Sequence, residues 1–327
     1  LQRIFRNTSR QFGLIMILSA SAIGLILSCS NGANSIDAIR WSGMNQVVLK
    51  GDYAYCARGY SLTILDVSDP ANPREVSLCN VPGEALGVDV ADNLAFVAAG
   101  DKGLQIIDIS SLTNPTILGD FVTNGVASSV AMADRYAYVA DGDNLKIINT
   151  IKKDAPSLVG TRSSGAGYVV IDGYYAFVAC AQNGLDILST ADKSDPQLVG
   201  DFRSSGNMLG VTSKGFYAYI VKGSEGLEII DIHNKKTPLL AATIDTPGFA
   251  LDVAIYGHYA FIADGKTGLQ VVDISNPTIP KLVGGFDTPG YARDVVIISN
   301  FAYVSDQEGG LQIIDIHDPE SPILVDE

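Results

Sequence analysis

The chain has 327 residues, with 22 Lys and Arg against 36 Asp and Glu and a formal net charge of −14. So acidic a surface repels nucleic acid and anionic lipid, which excludes both as charge-read partners. Four cysteines are too few for a disulfide scaffold in a chain of this length.

The N-terminus reads as an address. Residues 1–10 carry Arg3, Arg6 and Arg10 and no acid, and residues 12–28 (FGLIMILSASAIGLILS) are apolar or small. A basic start, an apolar run and small residues before a cut describe a secretory signal. The run is short for a membrane helix, which needs about 20 apolar residues. Ile26-Leu27-Ser28-Cys29 resembles a bacterial lipobox. That resemblance implies that Cys29 takes the lipid and becomes the first residue of the mature chain, held to membrane lipid by several acyl chains where one alone would bind marginally. Ser30, rather than Asp, follows it. By similarity to Gram-negative lipoproteins this favours the outer membrane or cell surface over retention at the inner one. Residues 1–28 are thus expected to be a signal peptide, 29–34 a short tether, and 35–327 the folded body. Removing residues 1–28 takes away three arginines and no acid, so the mature chain would carry −17.

From residue 40 onward one motif returns seven times: LTILDV at Leu62, LQIIDI at Leu104, LKIINT at Leu145, LDILST at Leu185, LEIIDI at Leu227, LQVVDI at Leu269 and LQIIDI at Leu311. The copies are 40 to 42 residues apart. In residues 248–289, GFALDVAIYG and HYAFIAD read as two strands, the turn GKTG leads into LQVVDI, and KLVGGF follows a Pro-rich turn. That makes four strands of about 5 residues, rich in Val, Ile, Phe and Tyr and bounded by Gly, Asn, Asp and Pro. No segment after residue 30 has a long apolar period of 3.6, which removes the helical repeats of similar length. Four strands in about 42 residues describe a propeller blade. The expected fold is all-β, a seven-bladed β-propeller with four antiparallel strands per blade; a stacked β-solenoid is the rival. Both SPILVDE (Ser321–Glu327) and SIDAIRW (Ser35–Trp41) look like fourth strands. SIDAIRW is the one expected to join blade seven, as a clasp or added edge.

Recurring residues have structural readings. Asp66, Asp108, Asn149, Asp231, Asp273 and Asp315, with Ser189 in the fourth copy, end the third strand just before a turn. A short side-chain oxygen there accepts backbone N–H bonds from the turn. Gly103, Gly184, Gly226, Gly268 and Gly310 precede that strand and fit a hairpin needing positive φ, with Asn144 expected to fill the position in blade three. Cys56, Cys79 and Cys180 read as small buried hydrophobes. A Cys56–Cys79 bridge is the open alternative.

The third-strand motif, with its neighbour (YAYCA, AFVAA, YAYVA, AFVAC, AYIVK, AFIAD, AYVSD), resembles the LVIVD-repeat family over residues 47 to about 325. The resemblance implies an exported or surface β-propeller of bacteria or archaea. It brings no catalytic residues with it.

Candidate site residues follow from the propeller expectation, in which first strands line a central channel. Four residues after the glycine opening each copy stand Gly87, Ser129, Gly210, Asp252 and Asp294, with Tyr168 aligned in blade four. Asp252 and Asp294, beside Arg293, form the polar cluster expected to face the channel with Ser129 and Tyr168. No cofactor is expected, although two carboxylates could hold a hard cation such as calcium; an Arg–Asp pair holding the ring together is the other reading. Tyr168, Met208, Phe249 and Tyr291 lie near the same openings. His233, His258 and His317 do not recur as a set, and no nucleophile-elbow motif is present. The preferred reading is a monomeric, envelope-anchored module that binds or scaffolds a protein or polysaccharide without catalysis. The alternatives are a metal-dependent, lactonase-like hydrolase with a cation in the channel, and a purely structural surface protein.

Overall fold

The computed structural model describes residues 42–180 and 184–325. The expected signal peptide, Cys29, the tether and SIDAIRW lie outside them. The described chain forms seven four-stranded antiparallel sheets, each built from consecutive strands. Blade one runs through Met44–Lys50, Tyr53–Arg58, Ser61–Asp66 and Arg74–Asn80, and blade seven through Asp294–Ile298, Phe301–Ser305, Leu311–Asp315 and Ile323–Leu324. Among the described residues blade seven thus takes its fourth strand from SPILVDE. That strand is short: it pairs only Leu324 with Ile314 and Ile323 with Asp315.

Period-two alternation explains the packing. Second and third strands are buried on both faces, as in Leu269–Asp273 and Tyr259–Ala263. Their two faces feed two different cores, one toward each neighbouring blade. Seven apolar clusters result, one per interface; Phe261, Val271, Val295 and Val304 belong to the cluster between blades six and seven. The ring closes where Met44, Val47 and Cys56 of blade one meet Tyr303, Leu311 and Ile313 of blade seven. Backbone bridges stitch one end of the interfaces together: Gly223 pairs with Ala250, Gly265 with Ala292, and Gln307 with Met44 across the closing seam.

The third-strand side chains act as expected. Asp66, Asp108, Asn149, Asp231, Asp273 and Asp315 accept the N–H two residues on at 2.8 to 3.0 Å. Ser189 does the same with its hydroxyl at 3.5 Å. Gly103, Gly184, Gly226, Gly268 and Gly310 have φ between 67° and 99°. Asn144 holds the same place in blade three, its carbonyl accepting the Asp141 N–H as Gly103 accepts that of Ala99, but the positive φ of its shorter turn falls on Gly142 instead. Cys56, Cys79 and Cys180 are free and buried. Cys56 faces the seam with blade seven and Cys79 the interface with blade two, so opposite faces of one sheet prevent the Cys56–Cys79 bridge.

Candidate functional site

The first strands stand around the central channel, and each presents one residue at its waist: Gln46, Gly87, Ser129, Tyr168, Gly210, Asp252 and Asp294. Each precedes an equivalent valine, from Val47 round to Val295. Blades one and four reach this position through a β-bulge, between Met44 and Gln46 and between Ala166 and Tyr168. In both, one residue fewer separates the opening glycine from the waist, as between Gly43 and Gln46 against Gly248 and Asp252, which is why Gln46 escaped the sequence pattern. Its signal was the Val-Val pair that follows it.

Most waist side chains reach sideways to the next blade. Asp294 accepts the Val47 N–H at 2.9 Å across the seam, and Asp252 accepts that of Val295 at 3.2 Å. Gln46 accepts from Val88 at 2.8 Å and Ser129 from Val169 at 3.3 Å. At blade two the waist residue is Gly87, and Asp89, two residues along, accepts from Met132 at 2.7 Å instead. A Cβ on Gly210 would stand 2.8 Å from the Leu251 carbonyl oxygen and 3.2 Å from an Asp252 oxygen, so this glycine admits its neighbour's carboxylate. The expected cluster of Ser129, Tyr168, Asp252 and Asp294 is therefore brought together, with most of its acceptors engaged by backbone.

Tyr168 alone turns across the channel. Its hydroxyl accepts the Gln46 amide at 3.0 Å and also bonds Asp252, while Gln46 bonds Asp294. This bar divides the channel into a cavity of about 450 Å³ on one side and a mouth of about 210 Å³ on the other, where Arg293 stands. Burial is the main influence on both aspartates. It pushes Asp252 up to about 6. It holds Asp294 well above the usual carboxylate range, with repulsion from Asp252 adding to it and Arg293 pulling the other way. The Tyr168 hydroxyl is raised as well, by burial and then by the surrounding aspartates.

The alternative with a cation in the channel finds no ligand cluster to hold one. Among the described residues no three His, Cys, Asp or Glu side chains converge. Two carboxylates fastened to the neighbouring blades argue against a metal-dependent hydrolase. His233 bonds Asp231 at 2.7 Å and stacks on Phe216, whereas His317 meets Asn300. Met208 is core. Phe249 and Tyr291 lie against Gly223 and Gly265 of the preceding blades, where a Cβ would come within 2.6 and 3.0 Å of the rings.

A second latch was not anticipated. Asp264 is fully buried and accepts Thr246 Oγ1 at 2.6 Å, Gly248 N–H at 2.7 Å and Thr267 Oγ1 at 2.6 Å. Asp306 repeats this with Thr288 at 2.5 Å and Gly290 at 2.7 Å. The two Asp-Thr-Pro-Gly loops, 245–248 and 287–290, each with an aspartate 16 residues beyond the glycine, were the available signal.

The LVIVD repeat model matches residues 44–81, 82–123, 124–160, 165–204, 205–246, 247–288 and 289–327, one match per blade. No curated protein matches the chain. Solved structures of similar fold include a functionally unknown protein from Desulfotomaculum acetoxidans, 12% identical with a TM-score of 0.68, covering 85% of this chain and 94% of that one. BamB from Moraxella catarrhalis is 14% identical with a TM-score of 0.58, over 84% and 82% of the two chains. The computationally designed Ika8 protein is 8% identical with a TM-score of 0.65, over 84% of each. At these identities the likeness is one of fold alone.

Proposed function

The chain belongs to the LVIVD-repeat family, and on that footing we propose that it is a non-catalytic binding or scaffolding module for a protein or glycan partner at the bacterial envelope. One observation carries the reading. Gln46, Ser129, Asp252 and Asp294 at the channel waist, where a propeller enzyme would hold its reactive groups, accept backbone N–H bonds from adjacent blades. Chemistry is committed to architecture there, and the loops and faces are left for recognition. The targeting segment supports the location: Arg3, Arg6 and Arg10, the apolar run, and Cys29 in its lipobox-like setting fit export and lipid anchoring.

The test is retention of the purified mature chain on isolated sacculi, envelope polysaccharide and envelope membrane proteins, with and without chelator. An ester and lactone panel is assayed in parallel. Saturable retention on one fraction, indifferent to chelator, is the expected result. Chelator-sensitive turnover of any substrate, lost in Asp252→Asn, would overturn the proposal. Cys29→Ala is expected to move the chain from the membrane to the soluble fraction.

A further inference from the structure

The first residue of the second strand is aromatic in six blades: Tyr53, Tyr136, Tyr175, Tyr217, Tyr259 and Phe301. Each of these rings packs against the apolar cluster shared with the following blade. Blade two has Leu94 there, in the same register: Leu94 pairs with Asp108 as Tyr136 pairs with Asn149. The interface between blades two and three therefore lacks the ring present in the other six. In its place is a cleft of about 220 Å³, floored by Leu94, Phe96 and Met132 and edged by Ile151 and Lys153.

Lys153 shows what the cleft is shaped for. It is the fourth residue after the third strand, the position of Lys193 in blade four and Lys235 in blade five. Lys193 Nζ lies 5.8 Å from the Tyr136 ring centroid and Lys235 Nζ 5.0 Å from that of Tyr175. Both distances fall within the range at which a ring face attracts a cation. The chain thus has two copies of this arrangement that it fills itself, and a third with the lysine but no ring.

We infer that the cleft between blades two and three is a binding site for a single monocyclic aromatic group, which lies on Leu94 and Phe96 beside Lys153. The volume is sufficient: an engineered apolar cavity of about 150 Å³ in another protein accepts benzene, and 220 Å³ leaves room for a substituent. Charge favours a neutral ligand, because Asp92 and Asp134 at the rim offset Arg135 and Lys153. A phenol fits best, as the side chain of a partner's tyrosine or as a free compound. This inference is independent of the proposed function.

The test is a ligand-observed NMR titration of the purified chain with p-cresol, N-acetyltyrosinamide and cyclohexanol. Saturable binding of p-cresol, at least tenfold tighter than cyclohexanol, is expected. Leu94→Tyr, which restores the residue found in five other blades, should abolish it, and Lys153→Met should weaken it about two- to fivefold. Tyr136→Leu should open a second equivalent site beneath Lys193 and double the stoichiometry, a gain that misfolding cannot imitate. N-acetyltyrosinamide binding as well as p-cresol points to a polypeptide source; p-cresol alone points to a free phenol. Absence of saturable p-cresol binding, or equal binding by Leu94→Tyr, would overturn the inference.

Discussion

Asp252 and Asp294 show a conflict between charge and architecture. Each must accept a backbone N–H from the next blade, and each is buried where an ionised carboxylate is poorly solvated. Their folded pKa values lie above the usual carboxylate range, Asp252 at about 6. Between about pH 4 and 6 the folded chain therefore binds protons that the unfolded chain has released. The sign follows from linkage: stability is greatest below the unfolded value near 4 and falls as pH rises through the folded one. Asp306, also raised to about 6 by burial, works in the same direction. Exposed turn aspartates such as Asp66 and Asp273 have lowered values and act mainly below pH 4, outside this window. Chemical denaturation should thus show a more stable protein at pH 5 than at pH 7.5. Asp252→Asn keeps an acceptor for Val295 and removes the charge, so it should gain about 1–3 kcal/mol at pH 7.5 and nothing at pH 4. Asp252→Ala leaves that N–H without its partner and should lose about 1–3 kcal/mol at pH 4. Equal wild-type stability at the two pH values would mean that the waist is hydrated enough to ionise without cost.

At the scale of strands and turns, two glycines with nearly the same backbone separate strain from collision. Gly257 has φ of 59° and Gly268 of 67°. Nothing lies within 4 Å of a Cβ placed on Gly257, whereas one on Gly268 would run into the Phe286 carbonyl and the Thr288 N–H. Gly257→Ala should cost only the left-handed penalty, about 1–2 kcal/mol. Gly268→Ala adds a backbone clash and should cost clearly more. Equal melting temperatures for the two variants would show that the fourth strand yields without loss. The same contrast explains what was legible in the sequence. A repeated third strand sampled seven times revealed strand order, blade number and the turn-capping aspartates, because each depends on local chemistry. Asp252, Asp294, Ser129 and Tyr168 were found because their offset from the blade's start recurs or aligns. Gln46 was missed because the turn before it is one residue shorter, and Asn144 holds the expected place without the expected φ because its own turn is shorter. That Asp252 and Asp294 are latches depends on which backbone faces them from the next blade, a fact that exists only once the ring is closed. The Leu94 cleft is likewise relational: leucine in a buried strand carries no signal until the six other blades are seen to hold a ring in the same register.

Closure also decides how the molecule unfolds. In an open array each repeat touches only its neighbours, and damage stays local. Here Val47 and Asp294, 247 residues apart, are bonded at 2.9 Å, and Met44 bridges Gln307 at the same seam. Joining the ends of so long a chain has a large entropic cost, which the seam's apolar cluster and hydrogen bonds must offset together. Blade four lies three blades from the seam in either direction, so it reports whether the ring acts as one unit. Met44 is fully buried, and Met44→Asp puts a charge into the closing cluster without touching blade four. If the ring is one cooperative unit, the Tyr175–Cys180 strand should lose amide protection by the same factor as Tyr53–Arg58, at least tenfold, or about 1.4 kcal/mol. Loss confined to blades one and seven would mean that the seam is merely the last interface of a linear repeat. Cooperative loss is expected because no blade is complete alone: the second and third strands of each are buried on both faces, and opening one interface exposes a face of two sheets. Each sheet so exposed weakens its next contact, and in a closed ring that weakening returns to the seam from the other side.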